Sequence, residues 1–226
     1  MKNKTVIITG ASGNLGKEAI KKFSELGANV VAVSGRSDVS NMDGSVFSIK
    51  NIDLTKPEHA EKVITQTRDH FSKPDILINI AGGFIWKTVR DTTLKDFNDQ
   101  FNLNFTTMYN MTIAALTDLE KSNAGRVINI GAIGAIRAEA GMAAYASSKS
   151  AVMRFTEALA KESNDNITVN AILPSIIDTP ANRKNMPNAD TSKWVTTTEL
   201  VDVMVFLSSN EASGINGALL PIKGRL

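Results

Sequence analysis

Short runs of consecutive apolar residues alternate with longer stretches in which apolar side chains recur every three or four positions. The first pattern predicts strands buried on both faces, and the second predicts amphipathic helices. Strands are predicted at Val6–Thr9, Val30–Val33, Val46–Ile49, Ile76–Ile80, Arg126–Ile130, Thr168–Leu173 and Ala218–Ile222. Helices are predicted at Gly16–Leu26, where Ala19, Ile20, Phe23 and Leu26 share a face, and at Pro57–Phe71, Ala143–Glu162 and Glu199–Leu207. Thr93–Leu119 holds one long helix or two abutting ones. Strand and helix alternating along the chain imply an α/β fold, a doubly wound parallel sheet of about seven strands. No linker or repeat divides residues 1–226, so one domain is expected. The stretch Ser34–Ser45 is too short for a crossover helix, and a loop or single turn is expected there. The stretch 175–198 has no clear period, contains Pro180 and Pro187, and is expected to cap a site rather than build core.

Composition narrows the chemistry. A net charge of +2 with no block of like charges favours neither nucleic acid nor an anionic membrane. The absence of cysteine excludes disulfides, thiolate metal sites and a cysteine nucleophile. His59 and His70 lie in a polar helical stretch and read as surface residues, so no metal site is expected. The first apolar run is too short for a signal sequence and no run reaches membrane-spanning length, which makes a cytoplasmic location the expectation.

Two places carry candidate chemistry. The first strand runs into Thr9-Gly-Ala-Ser-Gly-Asn-Leu-Gly16, with a helix following. Glycines there let backbone approach a pyrophosphate, and the helix start stabilises its charge. Gly10 serves the turn, Gly13 the phosphate approach and Gly16 the packing of helix on strand, with Ser12, Asn14 and Leu15 completing the loop. The second place is Tyr145-Ala-Ser-Ser-Lys149, where a spacing of four on a helix puts phenol and ammonium on one face. An ammonium beside a phenol is expected to pull the phenol pKa toward neutrality, giving a proton donor usable near pH 7.

These two motifs together resemble the short-chain dehydrogenase/reductase family. That resemblance implies a Rossmann-type fold, NAD(P)-dependent hydride transfer and a homodimer or homotetramer paired through the two long helices. It implies that Tyr145 is the acid, that Lys149 tunes it and holds the nicotinamide ribose, and that Asn104 shapes a proton relay with Lys149. For Asn104 a helix-kinking or capping role stands as an equal alternative. The resemblance also places Asp53 and Leu54 at the adenine, and Asn79, Ala81 and Gly82 near the adenosine ribose. Pro174, Ile177 and Thr179 fall at the nicotinamide amide, in a Pro-Ser-Ile-Ile-Asp-Thr segment where the family has glycine second.

Which nucleotide binds turns on the end of the second strand, Ser34-Gly-Arg-Ser-Asp38. Arg36 suits a 2′-phosphate, favouring NADP(H), and NAD(H) held through Asp38 is the alternative.

One departure from the family pattern bears on the substrate. Thirteen residues before the tyrosine the family carries a serine that holds a substrate carbonyl, and this chain has Ala132. The segment Leu173-Pro-Ser-Ile-Ile-Asp-Thr-Pro-Ala-Asn-Arg-Lys-Asn-Met-Pro-Asn-Ala-Asp190, followed by Trp194, is similar to that of dihydropteridine reductases. A quinonoid dihydropterin forms no tetrahedral alkoxide on reduction, so the serine is dispensable. Trp86 and Trp194 are candidate walls for its flat ring, while Phe84 is assigned to ordinary packing. A carbonyl or quinone reductase that tolerates Ala132, or a nucleotide-binding protein without turnover, are the alternatives.

Overall fold

The computed structural model of the chain describes residues 1–35 and 45–226. Arg36 and Asp38, on which the choice of nucleotide turned, lie outside the described residues.

Seven parallel strands form one sheet in the order β3-β2-β1-β4-β5-β6-β7. They are β1 (Thr5–Thr9), β2 (Asn29–Val33), β3 (Val46–Ile49), β4 (Ile76–Asn79), β5 (Gly125–Ile130), β6 (Ile167–Pro174) and β7 (Leu219–Ile222). Every residue of β1, β4, β5 and β6 is buried, as their uninterrupted apolar runs require, whereas edge strands β3 and β7 are mostly half-buried. Alternate side chains serve opposite faces. Val6 and Ile8 join a core with Ile20 and Phe23 of α1 (Asn14–Glu25) and Leu200 and Met204 of α7 (Thr197–Leu207). Ile7 joins the opposite core with Val63 of α2 (Pro57–His70), Met111 of α4 (Thr107–Glu120) and Leu159 of α5 (Ala143–Glu162).

The stretch read as one helix or two is two. α3 (Leu94–Phe101) opens on a Thr93/Asp96 capping box, and a π-helical turn, Asn102–Thr106, joins it to α4. The Thr107 amide reaches back five residues to the Asn102 carbonyl, which widens the helix at this point.

The stretch 175–198 holds a short helix, α6 (Pro180–Asn185), with Thr179 as its N-cap, and a 3-10 turn, Thr191–Lys193. Its far end is core, contrary to expectation. Val195 is fully buried, and its amide and carbonyl pair with Ile176 and Asp178.

The order of strands reverses between β1 and β4, and ligands of such sheets bind at the carboxyl ends of strands where that happens. The two strand ends touch there. Thr9 Oγ1 accepts from the Ile80 and Ala81 amides at 3.0 and 3.1 Å. Gly10 has φ +67°, and a Cβ on it would lie 2.8 Å from the Ala81 nitrogen. Only glycine meets both demands.

Candidate active site

The start of α1 forms one half of the site. Gly13 is its N-cap with no side-chain cap bond, and no acidic residue stands in its first turn. The first intrahelical bond runs from the Lys17 amide to the Gly13 carbonyl at 2.9 Å. The amides of Asn14, Leu15 and Gly16 before it are the orphan donors of a helix start. A Cβ on Gly16 would overlap the Gly10 carbonyl oxygen, so the helix can come this close only with glycine there. An uncapped helix start without a carboxylate, set at the switch point, fits a dinucleotide pyrophosphate. Leu15 has its side chain in the core and leaves only its backbone facing the cradle.

Around this cradle the other expected cofactor residues divide. Asp53 is exposed, and its Oδ1 accepts from the Thr55 hydroxyl at 2.6 Å and the Thr55 amide at 3.1 Å. The Thr55 hydroxyl holds the Asp53 carboxyl below its usual range. The Leu54 side chain is in the core, and its carbonyl accepts from Asn110 Nδ2 at 2.9 Å.

Asn79 requires a correction. Its amide points inward, donating to Thr112 Oγ1 at 3.0 Å and Asn129 Oδ1 at 2.9 Å, while Asn129 donates to Thr156 at 2.9 Å. It ties β4 to β5 and α4 inside the protein. Ala81 and Gly82 follow at the carboxyl end of β4, the Ala81 amide donating to Thr9 Oγ1 at 3.1 Å. Pro174 is buried at the end of β6, Ile177 pairs with Val195, and Thr179 Oγ1 accepts from the Asn182 amide at 3.2 Å.

α5 brings Tyr145 and Lys149 to the crevice. Lys149 is 5% exposed and donates from Nζ to the Ile130 carbonyl at 2.7 Å. Burial lowers its pKa to about 8. Tyr145 is half-buried, and burial raises its pKa to about 12. The expected pull of the phenol toward neutrality is therefore not met. Desolvation governs both groups, and the lysine proton is directed at a carbonyl rather than at the phenol. A phenol at about 12 is fully protonated at neutral pH, the state of a proton donor.

Asn104 stands where α3 gives way to the π-helical turn, the place expected of a helix-kinking residue. It sits in the π-helical turn and is buried there. Its Oδ1 accepts from the Gly83 amide at 2.9 Å, and its Nδ2 donates to the Gly83 carbonyl at 3.1 Å and Ser148 Oγ at 3.0 Å. A Cβ on Gly82 would lie 2.7 Å from Asn104 Oδ1 and 3.3 Å from Lys149 Nζ, so both groups converge on the same glycine. Ser148, missed in the sequence, completes this network by donating to the Tyr145 carbonyl at 2.7 Å. Its position three residues after Tyr145 on a helix was the available signal.

Ala132 follows β5 in extended backbone and is 5% exposed, offering no donor where the family has serine. Two of the three aromatic residues, Trp194 and Phe84, differ from expectation. Trp194 is 2% exposed and belongs to the buried core, so it presents no face to a ligand. Phe84, assigned to packing, is 51% exposed and meets the Tyr145 ring edge-on with centroids 4.9 Å apart. Trp86 is 60% exposed, with Nε1 donating to the Ala140 carbonyl at 3.0 Å.

Comparison with known proteins agrees with this geometry. The chain is similar to the 3-oxoacyl-[acyl-carrier-protein] reductase FabG of Vibrio harveyi, with 29% identity over 242 aligned positions, covering 99% of this chain and 97% of the relative. The protein of that name from Escherichia coli K12 is 27% identical over 239 positions, covering 98% and 96%. Among solved structures, ElxO with NADP bound superposes with a TM-score of 0.90 at 26% identity, covering 99% of this chain and 98% of that one. The ligand-free aldohexose dehydrogenase of Thermoplasma acidophilum shares the fold, with a TM-score of 0.89 at 23% identity, covering 99% and 94%. A family model described as short chain dehydrogenase matches residues 4–190, and the chain accordingly belongs to the short-chain dehydrogenase/reductase family of NAD(P)-dependent oxidoreductases.

Proposed function

We propose that this enzyme reduces a planar, conjugated acceptor, with a quinonoid dihydropteridine the acceptor that fits best. The observation carrying this reading is Ala132. A methyl group thirteen residues before Tyr145, where the family has serine, cannot hold a developing alkoxide, and the loss of such a donor costs a ketone reductase about 2.7–4 kcal/mol. A ring that accepts hydride and takes a proton on nitrogen has no such requirement. Tyr145, protonated at neutral pH, supplies that proton, and Phe84 beside it gives the pocket an aromatic edge. The nicotinamide supplies the hydride when bound; Ser12, Gly13, Asn14 and Leu15 would hold its pyrophosphate.

A second reading, reduction of a 3-oxoacyl thioester, is favoured by the names of the relatives at 27–29% identity. Ala132→Ser separates the two. A reductase of the 3-oxo group gains activity from the restored hydroxyl, whereas a pteridine reductase gains none. The primary test is oxidation of NADPH and of NADH with freshly generated quinonoid dihydropterin. Rapid turnover is expected, falling about 10²–10⁴-fold in Tyr145→Phe with nucleotide binding retained. Nucleotide binding without turnover defeats the proposal. The ratio of the two cofactors assigns the role of Arg36, for which we retain a preference for NADP(H).

The assembly belongs to the same proposal. Phe101, Phe105, Tyr109 and Phe155 form a chain of ring contacts, at 4.8, 5.9 and 5.5 Å between successive centroids, across the outer faces of α3, α4 and α5. Phe101, Tyr109 and Ile113 remain exposed at 39%, 40% and 46%. An aromatic face of this kind suits pairing with a second copy through the two long helices.

A further inference from the structure

Two loops at the carboxyl edge of the sheet flank Tyr145: residues 80–93 after β4 and residues 131–142 after β5. Trp86 joins them. Its Nε1 donates to the Ala140 carbonyl at 3.0 Å, and the next amide, of Lys87, donates to the Gly141 carbonyl at 3.0 Å. The indole lies against Gly141, which has φ +79°, and any Cβ there would overlap the ring. A second tether holds the same loop from the other side. Lys87 Nζ binds Asp96 Oδ2 at 2.7 Å, and Asp96 closes the capping box that starts α3. Phe84, whose edge meets Tyr145, lies two residues before Trp86 on this pinned segment.

The indole therefore has its single donor committed and part of its surface closed by the opposite loop. Such a side chain is placed to fix the distance between two walls. We infer that Trp86 and Gly141 form a strut across the crevice, and that Trp86 acts as a positioning residue holding Phe84 at Tyr145 rather than as the face on which the acceptor stacks. This rests on Tyr145 being the acid, as proposed above, but not on which acceptor is reduced. The strut explains why glycine stands four residues before the tyrosine: the indole occupies the space of its side chain.

Two measurements test it. The chain has two tryptophans, so Trp194→Phe leaves Trp86 as the sole indole emitter. Its anisotropy decay is expected to follow tumbling of the whole protein, and to gain a fast local component when Gly141→Ala is added. Should Trp194→Phe not fold, the difference in decay between parent and Trp86→Phe isolates the same signal. The second measurement is turnover with quinonoid dihydropterin, with Trp194 intact. Gly141→Ala is expected to lower kcat/KM on the order of ten- to a hundredfold with NAD(P)H affinity unchanged, the scale expected for a misplaced reacting geometry. The double variant Trp86→Ala/Gly141→Ala is expected to be no worse than the worse single one, because both remove one coupling. Trp86→Phe, which keeps a ring but loses the Ala140 bond, is expected to fall between parent and Trp86→Ala. A parent-like anisotropy decay in Gly141→Ala overturns the strut. So does a Gly141→Ala enzyme with full kcat/KM beside a crippled Trp86→Ala, since that pattern marks direct stacking. If the parent does not turn over quinonoid dihydropterin, the acceptor assignment fails, and the anisotropy decay alone decides on the strut.

Discussion

At the scale of single residues, burial sets the electrostatics of this site. Lys149 is enclosed by protein, and desolvation brings its pKa from 10.5 to about 8. This has a consequence for stability with a definite sign. Below about pH 8 both native and unfolded chains carry the proton, and the native state bears the cost of a buried ammonium. Between about pH 8 and 10.5 the native chain releases it first, the unfolded chain binds more protons, and stability rises with pH. Lys149→Met removes this titration. The stability of the parent relative to the variant is therefore expected to climb across that window by on the order of 3 kcal/mol. Urea denaturation of both proteins at pH 7 and pH 10.5 measures it, and parallel pH profiles would refute the burial argument. The loss of the Ile130 hydrogen bond in the variant shifts both points alike and leaves the difference intact. Tyr145 titrates in both proteins and cancels.

At the scale of elements, contact between loop and helix decides what the glycine-rich segment can do. α1 approaches β1 so closely that Gly16 abuts the Gly10 carbonyl. Gly16→Ala is expected to push the helix outward, costing about 1–3 kcal/mol as overpacking does. It should also weaken NAD(P)H binding, because the orphan amides move with the helix. Thermal unfolding and nucleotide titration check both effects, and a variant that loses stability while keeping full affinity would show that the helix start does not hold the pyrophosphate. The π-helical turn between α3 and α4 is the second decisive element. By inserting a residue into the helical register it carries Asn104 to Gly83 and Ser148, a placement that a regular helix through Thr93–Leu119 does not provide.

At the scale of the whole molecule, the aromatic face on α3, α4 and α5 is where a second copy is expected to pack. Tyr109 is exposed on that face, where its ring meets those of Phe105 and Phe155. Tyr109→Glu places a charge in the proposed interface, and sedimentation should show dissociation to a folded monomer. A parent that already sediments as a monomer would end the assembly proposal. Among the described residues, no helix is long and apolar enough to cross a membrane.

The period of apolar positions determined the seven strands, their parallel arrangement and most helix boundaries, because burial on two faces or one leaves a local signature in the chain. Motif spacing likewise determined the glycine cradle and the placing of Tyr145 and Lys149 on one helix, since each depends on neighbours within a turn or two. Tertiary structure decided the remainder. Asn79 turned inward because Thr112 and Asn129 offer it partners from other elements. Trp194 is buried beside Val195, whose backbone pairs with Ile176 and Asp178. Phe84 reached Tyr145 because Trp86 is pinned to a loop 54 residues away. The pKa values of the pair followed desolvation by the assembled protein, a many-body property that spacing along one helix does not encode.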